Sequence, residues 1–210
     1  MHVKKDERII PLSDIVPEYH SSCFLVKKIF YDRIKYAIKL GSTRGRLRIL
    51  DIGCGSGTLL RELRRNNTKS HLVGLDININ TKELVNEGFK IYVCDINKNP
   101  FKDNFFDIVY ALDSLEHIKE IDYALTEIKR ILKPNKPLII SGPTESLFYK
   151  LGRFIIKGTF SEKVGPGTGI HYYNIYQLDR LIRKKFRKVQ TIKLPRFFTL
   201  EIITKYINKK

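Results

Sequence analysis

Between residues 47 and 142, apolar runs of strand length alternate with stretches of helical spacing, and this alternation narrows the chain to one fold class. The runs are LRILDI (47–52), HLVGLDI (71–77), IYVCDI (91–96), FFDIVYAL (105–112) and KPLIISG (136–142). Between them, TLLRELRRN (58–66) and EIDYALTEIKRIL (120–132) read as amphipathic helices, and NTKELVNEG as a shorter one stopped by Gly88. Runs that are apolar throughout belong to strands buried on both faces. The pattern therefore predicts a parallel sheet covered by helices on each side. At 210 residues the chain is long enough for one domain with a full α/β core.

The flanks differ from this middle. FLVKKIFYDRIKYAIKL (24–40) reads as a basic amphipathic helix, and YQLDRLIRKKF (176–186) as another. VQTIKL and FFTLEIITKYI resemble a closing pair of strands, and a basic, aromatic segment with the loop GPGTGIHYYN precedes them. The expected division is a single domain over 1–210. It comprises an N-terminal helical lid (1–46), a ligand-binding core (47–142), a lid insertion (143–173) and a C-terminal helix with strands (174–210). The alternative for both flanking helices is ordinary packing against the core.

Charge follows the same division. The chain carries +17, yet residues 49–140 hold 13 basic and 13 acidic side chains. The first 48 residues carry 11 basic against 5 acidic, and residues 141–210 carry 15 against 4. All of the excess lies in the flanks. It is either a solvated lysine-rich surface or a face for nucleic acid, an anionic membrane surface or a phosphorylated substrate. No apolar run approaches the roughly 18–20 residues that span a bilayer. MHVKKDERIIPLSDIV lacks the apolar stretch of a signal peptide. Cys23, Cys54 and Cys94 are scattered without metal-type spacing and are expected to be reduced, in a cytoplasmic protein.

The turn DIGCGSGT after the first run carries the chemistry. A phosphate-binding P-loop needs Gly-Lys-Ser/Thr, and here Gly57 is followed by Thr58 and Leu59. A dinucleotide fingerprint needs its third glycine where Thr58 stands, one place after Gly57. Asp51 lies beneath the turn, where a carboxylate repels pyrophosphate and suits an ammonium group. Asp51, Asp76 and Asp95 are 25 and 19 residues apart, about one βα unit each, so each falls at the carboxyl end of a neighbouring strand. Three acids on one sheet edge favour a cationic, hydroxyl-rich ligand. For each aspartate the plainer alternative is a helix N-cap.

The set Asp51, Gly53, Gly55 and Gly57, followed by Asp76 in GLDIN and Asp95 in CDI, resembles the class I S-adenosylmethionine-dependent methyltransferases, of the type found in ubiquinone and menaquinone biosynthesis. The resemblance covers residues 47–140. It implies a Rossmann-like fold: a mostly parallel seven-stranded sheet with helices on both faces and a C-terminal antiparallel strand. It implies S-adenosylmethionine as cofactor, held by Asp51, Gly53, Cys54, Gly55, Gly57, Asp76, Ile77, Asp95, Ile96 and Ala111. In that reading Asp76 meets the ribose hydroxyls and Asp95 the adenine amine.

Transfer from the sulfonium needs an acceptor held in line and, for a hydroxyl, a base. His117 in LDSLEHI and His171 in GTGIHYYN are the candidate bases, each with a plainer role in its loop. LDSLEHI is also similar to ubiquinone-biosynthesis O-methyltransferases, some of which hold a divalent metal there. Asp113, Glu116 and His117 match that i, i+3, i+4 arrangement, with Asp in place of the first Glu; the main expectation is no metal. The acceptor is expected to be a small molecule or lipid-linked compound, with peripheral contact to an anionic membrane surface. The alternatives are an RNA methyltransferase and a catalytically silent module that only binds the cofactor.

Overall fold

The structure is a computed structural model that describes residues 24–66, 69–77, 82–144, 171–196 and 199–209. Seven strands form one sheet: β1 (Arg48–Ile52), β2 (His71–Asp76), β3 (Lys90–Val93), β4 (Ile108–Leu112), β5 (Pro137–Pro143), β6 (Phe186–Leu194) and β7 (Glu201–Asn208). Their order is β3-β2-β1-β4-β5-β7-β6. The first five pair in parallel, and β7 runs antiparallel to both β5 and β6. The order in which strands are added reverses between β1 and β4, which opens a crevice at the carboxyl ends of the strands.

Helices cover both faces. On one face α1 (Phe24–Gly41) and α2 (Thr58–Asn66) bury Ile34, Ala37, Leu40, Leu59 and Leu63 against Ile49, Ile108, Ile139 and Ile203 of the sheet. On the other, α4 (Ile121–Ile131) and α5 (Ile175–Lys185) bury Leu125, Ile128, Leu178 and Ile182 over Leu50, Val109 and Ile140. The short α3 (Lys82–Asn86) lays Leu84 against Cys54 and Leu60. The N-terminal helix, expected as part of a lid, is thus a layer of the core. The rest of that segment and most of the lid insertion, residues 1–23 and 145–170, lie outside the described residues, as does Cys23.

Local chemistry moves several expected boundaries. The third run ends as a strand at Val93 because Asp95 caps the 3₁₀ turn Ile96–Lys98, accepting from the Asn97 amide at 2.8 Å. The fourth begins at Ile108, because the Phe105 and Phe106 amides donate to the Ile131 carbonyl at 2.8 and 3.0 Å instead. Asn174 and Gln177 form a capping box that starts α5, and β6 follows that helix directly at Phe186. As an edge strand, β6 carries Arg187, Lys188 and Lys193 and a register shift between Lys188 and Gln190, features that discourage edge-to-edge pairing.

Candidate functional site

The glycine turn is built on the end of β2. The amides of Gly53 and Cys54 both donate to the Leu75 carbonyl, at 2.7 and 3.2 Å, and the Gly55 amide donates to Asp76 Oδ2 at 2.8 Å. Three successive N–H groups are therefore occupied by the protein itself. A phosphate cradle would have aimed them at the ligand. Gly57 (φ +75°) lies so near α3 that a Cβ there would stand 2.2 Å from a Leu84 methyl, whereas one at Gly55 (φ +46°) would meet nothing within 4 Å. The open side of the turn faces away from the core at Gly55.

Asp51, at 3% exposure, ends in the interior below this turn. Burial pushes its carboxyl well above the usual range, the nearby Asp76 charge adds to this, and Arg33 opposes it. Burial, then Asp51 and Asp76, likewise keep the Cys54 thiol protonated. Ile77, beside Asp76, is 75% exposed, a large apolar surface at the same edge. Asp95 takes the N-cap role, which occupies its Oδ1. Ile96 is buried in the core. Ala111 lies at 0% exposure within β4, paired with Ile140.

A second set of groups gathers where β4 and β5 end. Asp113 adopts a left-handed φ of +47°. It forms an ion pair with Arg33 of α1 and accepts from Ser141 Oγ at 2.7 Å. Glu116 and Glu201 are also buried. Burial pushes the Glu201 carboxyl up to about 7, with Glu116 adding to the rise and Arg33 and Ser141 countering it. One buried guanidinium thus serves Asp51, Asp113 and Glu201. Neither Arg33 nor Glu201 was among the residues read from the sequence. The available signal was a charge on an apolar stripe: Arg33 lies on the α1 face of Ile34 and Ala37, and Glu201 opens an apolar strand.

The two candidate histidines meet. The His117 and His171 ring centroids are 4.7 Å apart, at 63°. Their loops are fastened by the Tyr172 amide donating to the Glu116 carbonyl at 2.8 Å and by Tyr173 Oη donating to the Lys119 carbonyl at 3.0 Å. Glu116, His117 and His171 each bring a ligating atom within 4.8 Å of the others, so these three could hold a metal ion. Asp113, matched to that motif by spacing, precedes the 3₁₀ turn Leu115–His117 and points to Arg33 and Ser141 instead.

A mostly parallel seven-stranded sheet whose carboxyl edge carries this acid-lined glycine turn has the fold of the S-adenosylmethionine-dependent methyltransferases. More closely, residues 50–140 match the family profile described as a methyltransferase domain. A sterol 4-C-methyltransferase of Caenorhabditis elegans is 38% identical over 100 residues, covering 43% of this chain and 29% of that protein. A ubiquinone/menaquinone biosynthesis C-methyltransferase of Stutzerimonas stutzeri is 32% identical over 129 residues, 55% of this chain and 50% of that one. The chain spans half or less of the length of these two relatives. The fold matches N-methyltransferase NodS of Bradyrhizobium japonicum in complex with S-adenosyl-L-homocysteine, with a TM-score of 0.68, 12% identity and 95% coverage of both chains.

The residues present fit S-adenosylmethionine as cofactor. The turn spends its amides internally and leaves no anion nest, Gly55 opens on free space, and the surrounding carboxylates call for a cation.

Proposed function

We propose that the chain methylates a small, lipid-like acceptor, with the cofactor held at the carboxyl ends of β1–β3 and the acceptor beside the His117–His171 pair. The observation that carries this reading is the convergence of two histidines, 54 positions apart, at the exit of β4, next to the acid-lined turn. When bound, S-adenosylmethionine supplies a methyl activated by its sulfonium charge. Asp51, Gly53, Cys54, Gly55 and Gly57 bind its amino-acid end, Asp76 its ribose, and Asp95 with the Ile96 backbone its adenine, over the exposed face of Ile77. His117 and His171 orient the acceptor and take the proton it gives up. The names of the sterol and quinone C-methyltransferases support an apolar acceptor and a carbon as the methylated atom. Among the described residues no helix is long and apolar enough to cross a membrane.

Calorimetric titration of S-adenosylmethionine against the wild type and Asp76→Ala tests the cofactor half. The variant is expected to bind at least about tenfold more weakly, as for loss of hydrogen bonds to a charged group. Equal binding removes Asp76 from the site. Labelled donor incubated with separated lipid, RNA and protein pools tests the acceptor half, with label expected in the lipid pool. His117→Ala and His171→Ala should each lower turnover by about 10²–10⁴-fold at unchanged cofactor affinity. If turnover survives exhaustive chelation, the Glu116–His117–His171 group works without a metal.

A further inference from the structure

The opposite end of the same strands carries a cavity of about 360 Å³ with no carboxylate in its lining. Strand periodicity builds it. Arg48, His71 and Lys90 stand at the amino ends of β1, β2 and β3, and they share a face with Leu50, Val73 and Tyr92, all of which pack on one side of the sheet. Arg48 and His71 are register partners, and Lys90 is paired with Val73 two residues along. Lys102 closes the row from the loop before β4. His71 accepts from Arg46 Nε through its Nε2 at 3.3 Å, so the charges of the row are those of Arg48, Lys90 and Lys102, which repel one another unless something negative joins them.

Several other cations of the core have carboxylate partners. Arg61 meets Glu87, Arg130 meets Glu127 and Asp103, and Lys133 meets Asp107. Among the described residues no carboxylate pairs with Arg48, Lys90 or Lys102. Asp107 accepts from the Arg48 backbone amide at 2.9 Å, but its charge is answered by Lys133 at 2.7 Å. Arg48 and Lys90 are held instead on aromatic rings, Phe105 at 4.6 Å and Tyr92 at 5.3 Å. Those rings and Phe101, which are interlocked edge to face with their neighbours, give the cavity flat apolar walls. Its volume lies in the range of about 300–1,000 Å³ usual for small-ligand pockets.

We propose that this cavity is a second ligand site, separate from the cofactor site, for a small phosphate ester with a flat apolar body such as a nucleoside monophosphate. A phosphate dianion answers several cations at once and suits the guanidinium fork of Arg48, while the flat body lies along the rings. Five residue steps of β2, at about 3.3 Å each, place His71 about 16 Å from Asp76, so both sites can be filled together.

Calorimetry on the full chain saturated with S-adenosyl-L-homocysteine tests this, because the cofactor site is then closed to nucleosides. Adenosine monophosphate is expected to bind, with adenosine and inorganic phosphate each at least about tenfold weaker. The double variant Lys90→Gln/Lys102→Gln should weaken the nucleotide at least about tenfold with no loss of S-adenosyl-L-homocysteine affinity or of thermal stability. A 5′-phosphorylated RNA oligomer that binds more tightly than the mononucleotide, with the same lysine dependence, assigns the phosphate to a strand end. No nucleotide binding at millimolar concentration overturns the proposal, and so does equal binding by the double variant or by adenosine. The homocysteine-product titration stands apart from these outcomes, so a failure of the cofactor reading is recognised separately.

Discussion

The two ends of the parallel strands carry opposite chemistry on one scaffold. At the carboxyl ends lie Asp51, Asp76, Asp95, Asp113 and Glu116, and one buried arginine is set among them; at the amino ends lie Arg48, His71, Lys90 and Lys102 with no acid in the lining. The acidic end is interior: Asp51, Glu116, Glu201 and Arg33 are all buried, so each charge there depends on its neighbours. The basic end lies nearer solvent, where water and salt screen its charges. A charge therefore means different things at the two ends. Disturbing the first should change stability and ligand affinity together, and disturbing the second should change mainly affinity.

The largest effect expected is at Arg33. Arg33→Met leaves Asp113 and its buried neighbours without their cation and should cost about 3–5 kcal/mol in urea unfolding. A cost below that of an ordinary surface pair would place Arg33 outside the network. Next comes Glu201, whose folded pKa of about 7 lies above its ordinary 4.5. The native state then binds more protons than the unfolded chain between those values, so stability falls as pH rises from about 4.5 to about 7, by about 3 kcal/mol at most. Glu201→Gln should remove much of that fall, measured as unfolding free energy across the window. Asp51, shifted the same way, leaves a residual slope.

The glycines sharpen the contrast on a smaller scale. Gly57→Ala meets both a left-handed φ and Leu84, and should cost about 2 kcal/mol and weaken cofactor binding. Gly55→Ala meets only the backbone cost, about 1 kcal/mol. Melting temperatures and cofactor titrations of the two variants, side by side, separate crowding from backbone strain. The smallest effect belongs to the basic end: Lys90→Gln should raise the melting temperature slightly at low salt, and the gain should vanish at high salt as screening replaces it. A gain that persists at high salt would mean the lysines do not repel one another.

The succession of strands and helices, the glycine turn and its three aspartates could be read from the sequence because each depends on neighbours close along the chain. An apolar run of strand length, a Gly where φ must be positive, and an acid at a strand end are local signals. What could not be read depends on distant segments meeting. Arg33 finds Asp113 across 80 positions, and His117 finds His171 only once α5 docks beside β5 and the Leu115–His117 turn. Asp113 misled for the same reason: its i, i+3 spacing to Glu116 suggests a shared helical face, but its backbone is left-handed and its carboxylate is claimed by Arg33 and Ser141. Asp95 takes the cap, and the proposed adenine contact asks for the same side chain at the same strand end.

Cys54 sits in the middle of the glycine turn, 6% exposed and with its thiol held protonated by burial and two neighbouring acids. A maleimide or disulfide reagent reaches it when the turn lifts off β2 and breaks the hydrogen bonds its amides donate to Leu75 and Asp76. Its labelling rate is therefore a clock for the opening of this one loop, readable by mass spectrometry. Cys94, only part-buried, serves in the same molecule as the fast reference.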